Sequence, residues 1–223
     1  MSVRRDGSRG VVRPPRAAWT VVALVAACAI AAAPADDWRP LFDGAKLGGW
    51  RATEFGGEGA VEVVAGAIRI GMGSPLSGIT WGGEFPRQRF ELSLEARRVE
   101  GHDFFCGLTF PVGPDSCSLI LGGWGGGLVG LSSIDGEDAS SNQTTQYREF
   151  KDGVWHDVTV KVTPEKIECF LDGEPIIDQP LAGRQISIRP EVIASQPLGV
   201  ACYSTTAEVR GLRWRPIPEE PRP

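Results

Sequence analysis

Two histidines in 223 residues, and no pair of cysteines in CxxC spacing, leave no zinc-binding pattern in this chain. Beyond residue 35 no apolar run is long enough to cross a bilayer, so no integral membrane domain is expected once the N-terminal segment is removed. No segment there keeps a helical period either, which argues against a helical bundle or an α/β fold. Paired acids in the ExDxE arrangement of lectin-fold glucanases are also missing, so ordinary two-carboxylate glycoside hydrolysis cannot be assigned.

Basic charge is scarce as well, and what there is gathers at the start. Met1 to Arg16 holds five arginines against the single acid Asp6. An uncharged, Ala- and Val-rich run from Ala17 to Ala35 follows, and Ala33-Pro34-Ala35 before Asp36 fits an A-x-A cleavage site. Residues 1–35 therefore read as an export signal. Val25-Ala26-Ala27-Cys28 also resembles a lipobox, which would leave the domain acylated at Cys28, and an uncleaved anchor is the third reading. All three put the domain outside the cytoplasm, periplasmic or extracellular. Removing residues 1–35 takes out five arginines and one aspartate, so the net charge of −5 becomes −9. Such an acidic domain disfavours nucleic acid and anionic membrane as partners and suits a neutral ligand such as a sugar, or a cation.

What remains is rhythm. Short alternating or apolar runs are broken by Gly, Pro, Asp or Asn about every ten residues, the pattern of an all-β sandwich. Val61–Val64 and Ala67–Ile70 flank Ala65-Gly66 as a hairpin. Arg89 to Arg98 alternates, with Phe90, Leu92, Leu94 and Ala96 on one face. Asp103 to Pro111 and Cys117 to Leu121 are apolar enough to be buried on both faces. Leu128 to Ile134 follows, then Val154 to Val162 with alternate valines. Lys166–Leu171 and Pro175–Asp178 form a hairpin around Asp172-Gly173. Leu198–Tyr203 and Ala207–Arg215 close the domain, which spans residues 36–216, with 217–223 as a proline-rich tail. Roughly a dozen strands of this length fit two packed antiparallel sheets.

Four cysteines lie beyond the leader, Cys106, Cys117, Cys169 and Cys202, and allow three pairings. Cys106 and Cys117 flank one predicted hairpin, so a local bond is the simplest pairing. A turn at Val112-Gly113-Pro114-Asp115, however, sets Cys106 opposite about Leu121, and buried free thiols are the other reading.

Trp38-Arg39-Pro40-Leu41-Phe42-Asp43-Gly44-Ala45-Lys46-Leu47-Gly48-Gly49-Trp50 resembles the opening motif W-x-x-L-F-[DN]-G-x-x-L-x-G-W of the 3-keto-disaccharide hydrolase domain, also described as the 3-keto-α-glucoside 1,2-lyase/3-keto-2-hydroxyglucal hydratase domain. Phe85 to Arg97 is similar to a later strand of that family. Gly153-Val154-Trp155-His156-Asp157, running on to Asp172-Gly173, is similar to its G-x-W-N hairpin, and Gly211 to Arg215 to its terminal strand. The resemblance covers Trp38 to Pro216. It implies a two-sheet antiparallel jelly roll of the concanavalin A-like lectin/glucanase type that acts on oxidised sugars. The family's central G-N-S-G and Y-E-x-Q strand is replaced here by His102-Asp103-Phe104-Phe105-Cys106-Gly107 and Cys117–Leu121, so its Glu and Gln are absent.

The implied reaction is elimination. A ketone at C3 of a sugar acidifies the C2 hydrogen; a base removes it, the group on C1 leaves, and water adds back to the glycal. The site needs a base, a stabiliser for the enolate and a cradle for the ring. His102 and Asp103 are the candidate bases, against the alternative of solvated turn residues. Trp124, within Gly122-Gly123-Trp124-Gly125-Gly126-Gly127, cannot be covered by its neighbours and suits stacking on a sugar, unless it anchors inward between the sheets. Trp81 is the candidate for the same face; Trp38 and Trp50 belong to the sandwich edge and His156 to its frame. Ser132 to Gln146 reads as a long polar loop, with Ser132, Asn142 and Gln146 as candidate sugar contacts. Its acids Asp135, Glu137 and Asp138 are candidate ligands of a divalent cation, against the simpler reading of a solvated loop. No other cofactor is called for. A non-catalytic glycan-binding module is the alternative function, and a structural envelope protein without a ligand the third.

Overall fold

The structure, a computed structural model, describes residues 1–2 and 37–219. The expected leader, its cleavage site and the Cys28 lipobox lie outside the described residues, as do residues 220–223 of the tail. Among the described residues no helix is long and apolar enough to cross a membrane.

Fifteen strands run in order: β1 (Arg39–Pro40), β2 (Trp50–Ala52), β3 (Val61–Val64), β4 (Ala67–Ile70), β5 (Leu76–Trp81), β6 (Phe90–Gly101), β7 (Cys106–Val112), β8 (Asp115–Gly122), β9 (Leu128–Ser132), β10 (Gln146–Tyr147), β11 (His156–Val162), β12 (Lys166–Leu171), β13 (Glu174–Pro180), β14 (Gly199–Tyr203) and β15 (Thr205–Pro216). They form two antiparallel sheets. One is ordered β13-β12-β11-β6-β15-β4-β3, with β1 added on β15; the other is β10-β9-β8-β7-β14-β5-β2. Hairpins and meanders within a sheet (β3–β4, β7–β10, β11–β13) alternate with connections that cross to the other sheet, the connectivity of a jelly-roll sandwich.

The turns explain the registers. Ala65 and Gly66, and again Asp172 and Gly173, have positive φ at both positions (50° and 83°, 53° and 79°), the backbone that matches strand twist in a two-residue hairpin. Val112 pairs with Asp115 across Gly113-Pro114, and this register sets Cys106 opposite Leu121 and Cys117 opposite Phe110. The simplest expected cystine, Cys106 to Cys117, is therefore excluded, because the two residues stand several rungs apart on the same hairpin. All four described cysteines are free and buried.

Between the sheets lies one core. Phe90, Leu92, Leu94 and Ala96 of β6 and Val158, Val160 and Val162 of β11 turn inward as the alternation predicts, meeting Leu108, Phe110, Leu119 and Leu121 of the facing sheet. Each such side chain removed from water contributes about 1.5–3 kcal/mol. Every residue of β7, and all of β8 except Asp115, is also covered on its outer side. The second sheet thus carries a layer on its outer face, and that layer makes the site.

Candidate functional site

Alternation assigns the outer face of the second sheet. Leu76 of β5 pairs with Tyr203 of β14, and Ser118 of β8 with Ser132 of β9, while Ile79, Leu119, Leu131 and Val200 turn into the core. Leu76, Ser118, Ile120, Ser132 and Tyr203 form the floor of a groove of about 510 Å³. Three segments raise its walls. Asp103 and Phe104 come from the corner before β7, Trp124 from the glycine turn after β8, and Arg189, Glu191 and Val192 from the start of a 3₁₀ helix at Pro190–Ser195. Glycines in the sheet let the walls sit close against it. A Cβ on Gly107 would come 3.0 Å from the Phe104 ring, and one on Gly199 2.6 Å from the Ser195 carbonyl. Phe104 and the 3₁₀ helix can rest on the sheet only because those side chains are missing.

The glycine turn Gly123–Gly126 holds Trp124 at φ 48° and ψ 55°, a left-handed conformation that a bulky residue rarely adopts. Its indole is 46% exposed. Asp103 ties this turn to the adjoining corner before β7: one carboxylate oxygen accepts from the N–H of Phe104 at 2.7 Å, the other from the N–H of Gly125 at 3.3 Å. Beneath them Arg98, only 6% exposed, acts as a strut. Its guanidinium donates to the Phe150 carbonyl at 2.6 Å, to the Asp152 carboxylate at 2.7 Å, and at longer range to the carbonyls of Asp103 and Gly126. Phe104 and Tyr203 face each other with ring centroids 5.8 Å apart and give the groove an aromatic wall.

Arg189 supplies its cation. The guanidinium donates to Glu191 and to Asp138, each at 2.7 Å. The bond to Glu191 is the main reason the arginine is held above its ordinary pKa and Glu191 below its own. Arg189 and Glu191 also border a second, more polar cavity of about 590 Å³, with Ser133, Ser141 and Ser187 in its walls.

Of the residues singled out in the sequence, Asp103, Trp124 and Ser132 come together in the groove. His102 is exposed and does not line it. Trp81 does not share the face of Trp124, and this corrects the expectation. β5 begins with Leu76 outward, so the sixth residue points inward, where its ring meets Trp50 at 5.4 Å and its N–H donates to the Glu84 carbonyl at 3.3 Å. Asn142 is spent inside its own loop: its amide N–H donates to the carbonyls of Leu131 and Asp138, and its oxygen accepts from Thr144. Gln146 donates to the Ile176 carbonyl from β10. Neither amide lines the groove.

The loop acids do not converge on a cation. Asp135 binds Arg184 and is held below the usual carboxylate range by the N–H of Gln185 first and that arginine second. Glu137 accepts from Ser141, and Asp138 from Ser140 and Arg189. Among the described residues no three His, Cys, Asp or Glu side chains are grouped to hold a metal ion. Sequence reasoning missed Arg189, Glu191, Phe104 and Tyr203. Only the last left a trace, as the outward residue of the pattern Gly199, Ala201, Tyr203.

The family described as 3-keto-alpha-glucoside-1,2-lyase-like domain matches residues 37–215. No curated protein matches the chain in sequence. Among solved structures it is similar to a provisionally assigned glycosyl hydrolase of Parabacteroides distasonis ATCC 8503, with 15% identity and a TM-score of 0.52 over 82% of this chain and 95% of that one. It is similar also to the carbohydrate binding module CBM66 of Bacillus subtilis, with 13% identity and a TM-score of 0.52 over 75% of this chain and 95% of that one. A prokaryotic β-1,3-1,4-glucanase (lichenase) from a mouse hindgut metagenome shares 11% identity, with a TM-score of 0.50 over 75% and 93%. At these identities the likeness is one of fold.

Proposed function

Because the chain belongs to the 3-keto-alpha-glucoside-1,2-lyase-like domain family, we propose that it cleaves 3-keto-glycosides outside the cytoplasm by elimination followed by hydration. The observation that supports this reading is the meeting of the Asp103 carboxylate, the Arg189 guanidinium and the Trp124 indole on one groove with otherwise largely apolar walls. Trp124 stacks on the sugar ring. Asp103 takes the C2 proton that the C3 ketone has acidified. Arg189 donates to the ketone oxygen as it becomes an enolate, where a fixed cation is worth more than in water. The C1–O bond breaks as the enolate collapses, and the departing oxygen takes up a proton. Water then adds at C1 while a proton returns to C2, so the sum is hydrolysis. Asp103 replaces His102 as the preferred base because it lines the groove and its carboxylate is fixed by two backbone donors.

Purified protein incubated with 3-keto-glucosides, with and without divalent metal, is expected to release the aglycone, and Asp103→Asn to stop it. Release no faster than in buffer would remove the proposal. A glycan-binding module is the second reading. It is favoured by the fact that both Asp103 oxygens already accept backbone hydrogen bonds, which leaves the exposed indole as the dominant feature. Under that reading a glycan array shows binding that Trp124→Ala abolishes, and keto-sugars bind without turnover.

A further inference from the structure

Four buried cysteines stand in the core of a domain proposed to be exported, and the sheet geometry separates them. β14 and β7 pair Gly199 with Thr109, Val200 with Leu108 and Ala201 with Gly107. Carried one rung beyond the last paired residues, that register sets Cys202 against Cys106. The strands are still joined beyond that rung, where the N–H of Tyr203 donates to the Phe104 carbonyl at 3.0 Å. Both side chains turn inward, with no exposed surface. Residues directly opposite on antiparallel strands have Cβ atoms about 4.5–5.5 Å apart, and a disulfide needs roughly 3.5–4.5 Å. A small local approach closes that gap.

The other combinations need larger movements of the strands. Cys117 lies on β8 and Cys169 on β12, in different sheets. Facing sheets are on average about 10 Å apart and a disulfide spans roughly 7 Å between Cα atoms, so joining these two would need the sheets to draw together by about 3 Å, against about 1 Å for Cys106 and Cys202. Cys106 and Cys117 are held apart along one hairpin, and β7 separates Cys117 from Cys202. We infer that Cys106 and Cys202 are the cross-linking site of this chain, and that Cys117 and Cys169 stay thiols.

The bond forms before the core closes. In the folded domain burial pushes both thiols up to about 12, so the attacking thiolate is scarce at neutral pH. On the unfolded or half-folded chain, one thiolate attacks a disulfide oxidant such as oxidised glutathione and expels one glutathione thiolate. The second cysteine then attacks the mixed disulfide on the protein sulfur and expels the other. Two thiols are oxidised, and one glutathione disulfide is reduced to two glutathiones, which take up the two thiol protons. The link joins the strand ends that carry Phe104 and Tyr203, and so fixes the groove's aromatic wall.

The full-length protein would be unfolded, then refolded either in a glutathione redox buffer or in reductant. Thiols would be alkylated in denaturant, and the digest mapped with and without reduction. The oxidised sample is expected to give a Cys106–Cys202 peptide pair, with Cys117 and Cys169 alkylated, and a Tm higher by about 10 °C than the reduced sample. Alkylation of both Cys106 and Cys202 after oxidative refolding, or a bridge between any other two cysteines of the domain, would overturn the inference. The variant Cys117→Ala/Cys169→Ala should bridge as the wild type does, and Cys106→Ala/Cys202→Ala should show the same Tm in both buffers. Failure of either would count equally against it.

Discussion

The N–H of Gly125 donates to the carboxylate of Asp103 at 3.3 Å, so the turn that presents Trp124 is held by a side chain from the neighbouring corner before β7. On the proposed mechanism Asp103 has two duties that substitution can separate. Asp103→Asn keeps an oxygen for the Phe104 N–H and removes the base. We expect its Tm to stay within a few degrees of wild type while keto-glycoside cleavage falls about 10²–10⁴-fold. Asp103→Ala should lose the same activity and about 1–3 kcal/mol of stability as well, because it frees two backbone donors. Kinetics and thermal melts of the pair check this.

Trp124 is strained and exposed at once. Trp124→Gly relieves the positive φ and should stabilise the fold by about 1 kcal/mol, whereas Trp124→Ala should not. Both should weaken sugar binding by roughly tenfold. Equal melting temperatures for the two variants would count against strain at this turn, and unchanged affinity against stacking.

Arg98 touches no groove surface but sits under both corners. Arg98→Met leaves the buried Phe150 carbonyl without its donor and should cost about 1–3 kcal/mol in a denaturant melt. Its KM for any groove ligand should rise even at temperatures where the protein is folded.

On the first sheet's outer face Glu208 accepts from Arg97 and Arg69. Burial pushes its carboxyl upward, but the two guanidiniums outweigh it and hold the pKa below the ordinary value. The stability this gives is present in full above the unfolded value of about 4.3 and is lost as pH falls through the lower, folded one. Thermal melts from pH 6 to pH 3 should therefore fall less steeply for Glu208→Gln than for the wild type, from a lower starting point.

With Asp135 and Asp138 each bound to an arginine, a chelator should change neither the Tm nor aglycone release. A chelator-sensitive activity restored by one divalent cation would show that the loop rearranges around a metal.

The sheet architecture was legible in the sequence because a two-residue period and Asp-Gly or Ala-Gly turns are local signals. The run Phe90, Leu92, Leu94 told its own orientation. Trp124 was legible for a related reason, since glycines on both sides cannot hide an indole. Trp81 was not, because its facing depends on where β5 starts, and one residue of offset inverts a strand. Asn142 and Gln146 look like ligands in a polar loop until their internal partners are seen; a sequence shows donors and acceptors without showing which are already satisfied. Arg189 and Glu191 come to the same groove as Asp103 only through tertiary folding, and nothing near them in the chain announces it.

Gly199 has a further consequence. With no side chain there, the Ser195 end of the 3₁₀ helix settles directly on the sheet, and the same short helix begins beside Arg189, Glu191 and Val192. The aperture offered to a ligand is thus set from underneath, like the jaw of a calliper resting on its stop. A single methyl group at that position would lift one jaw and change which ligands fit.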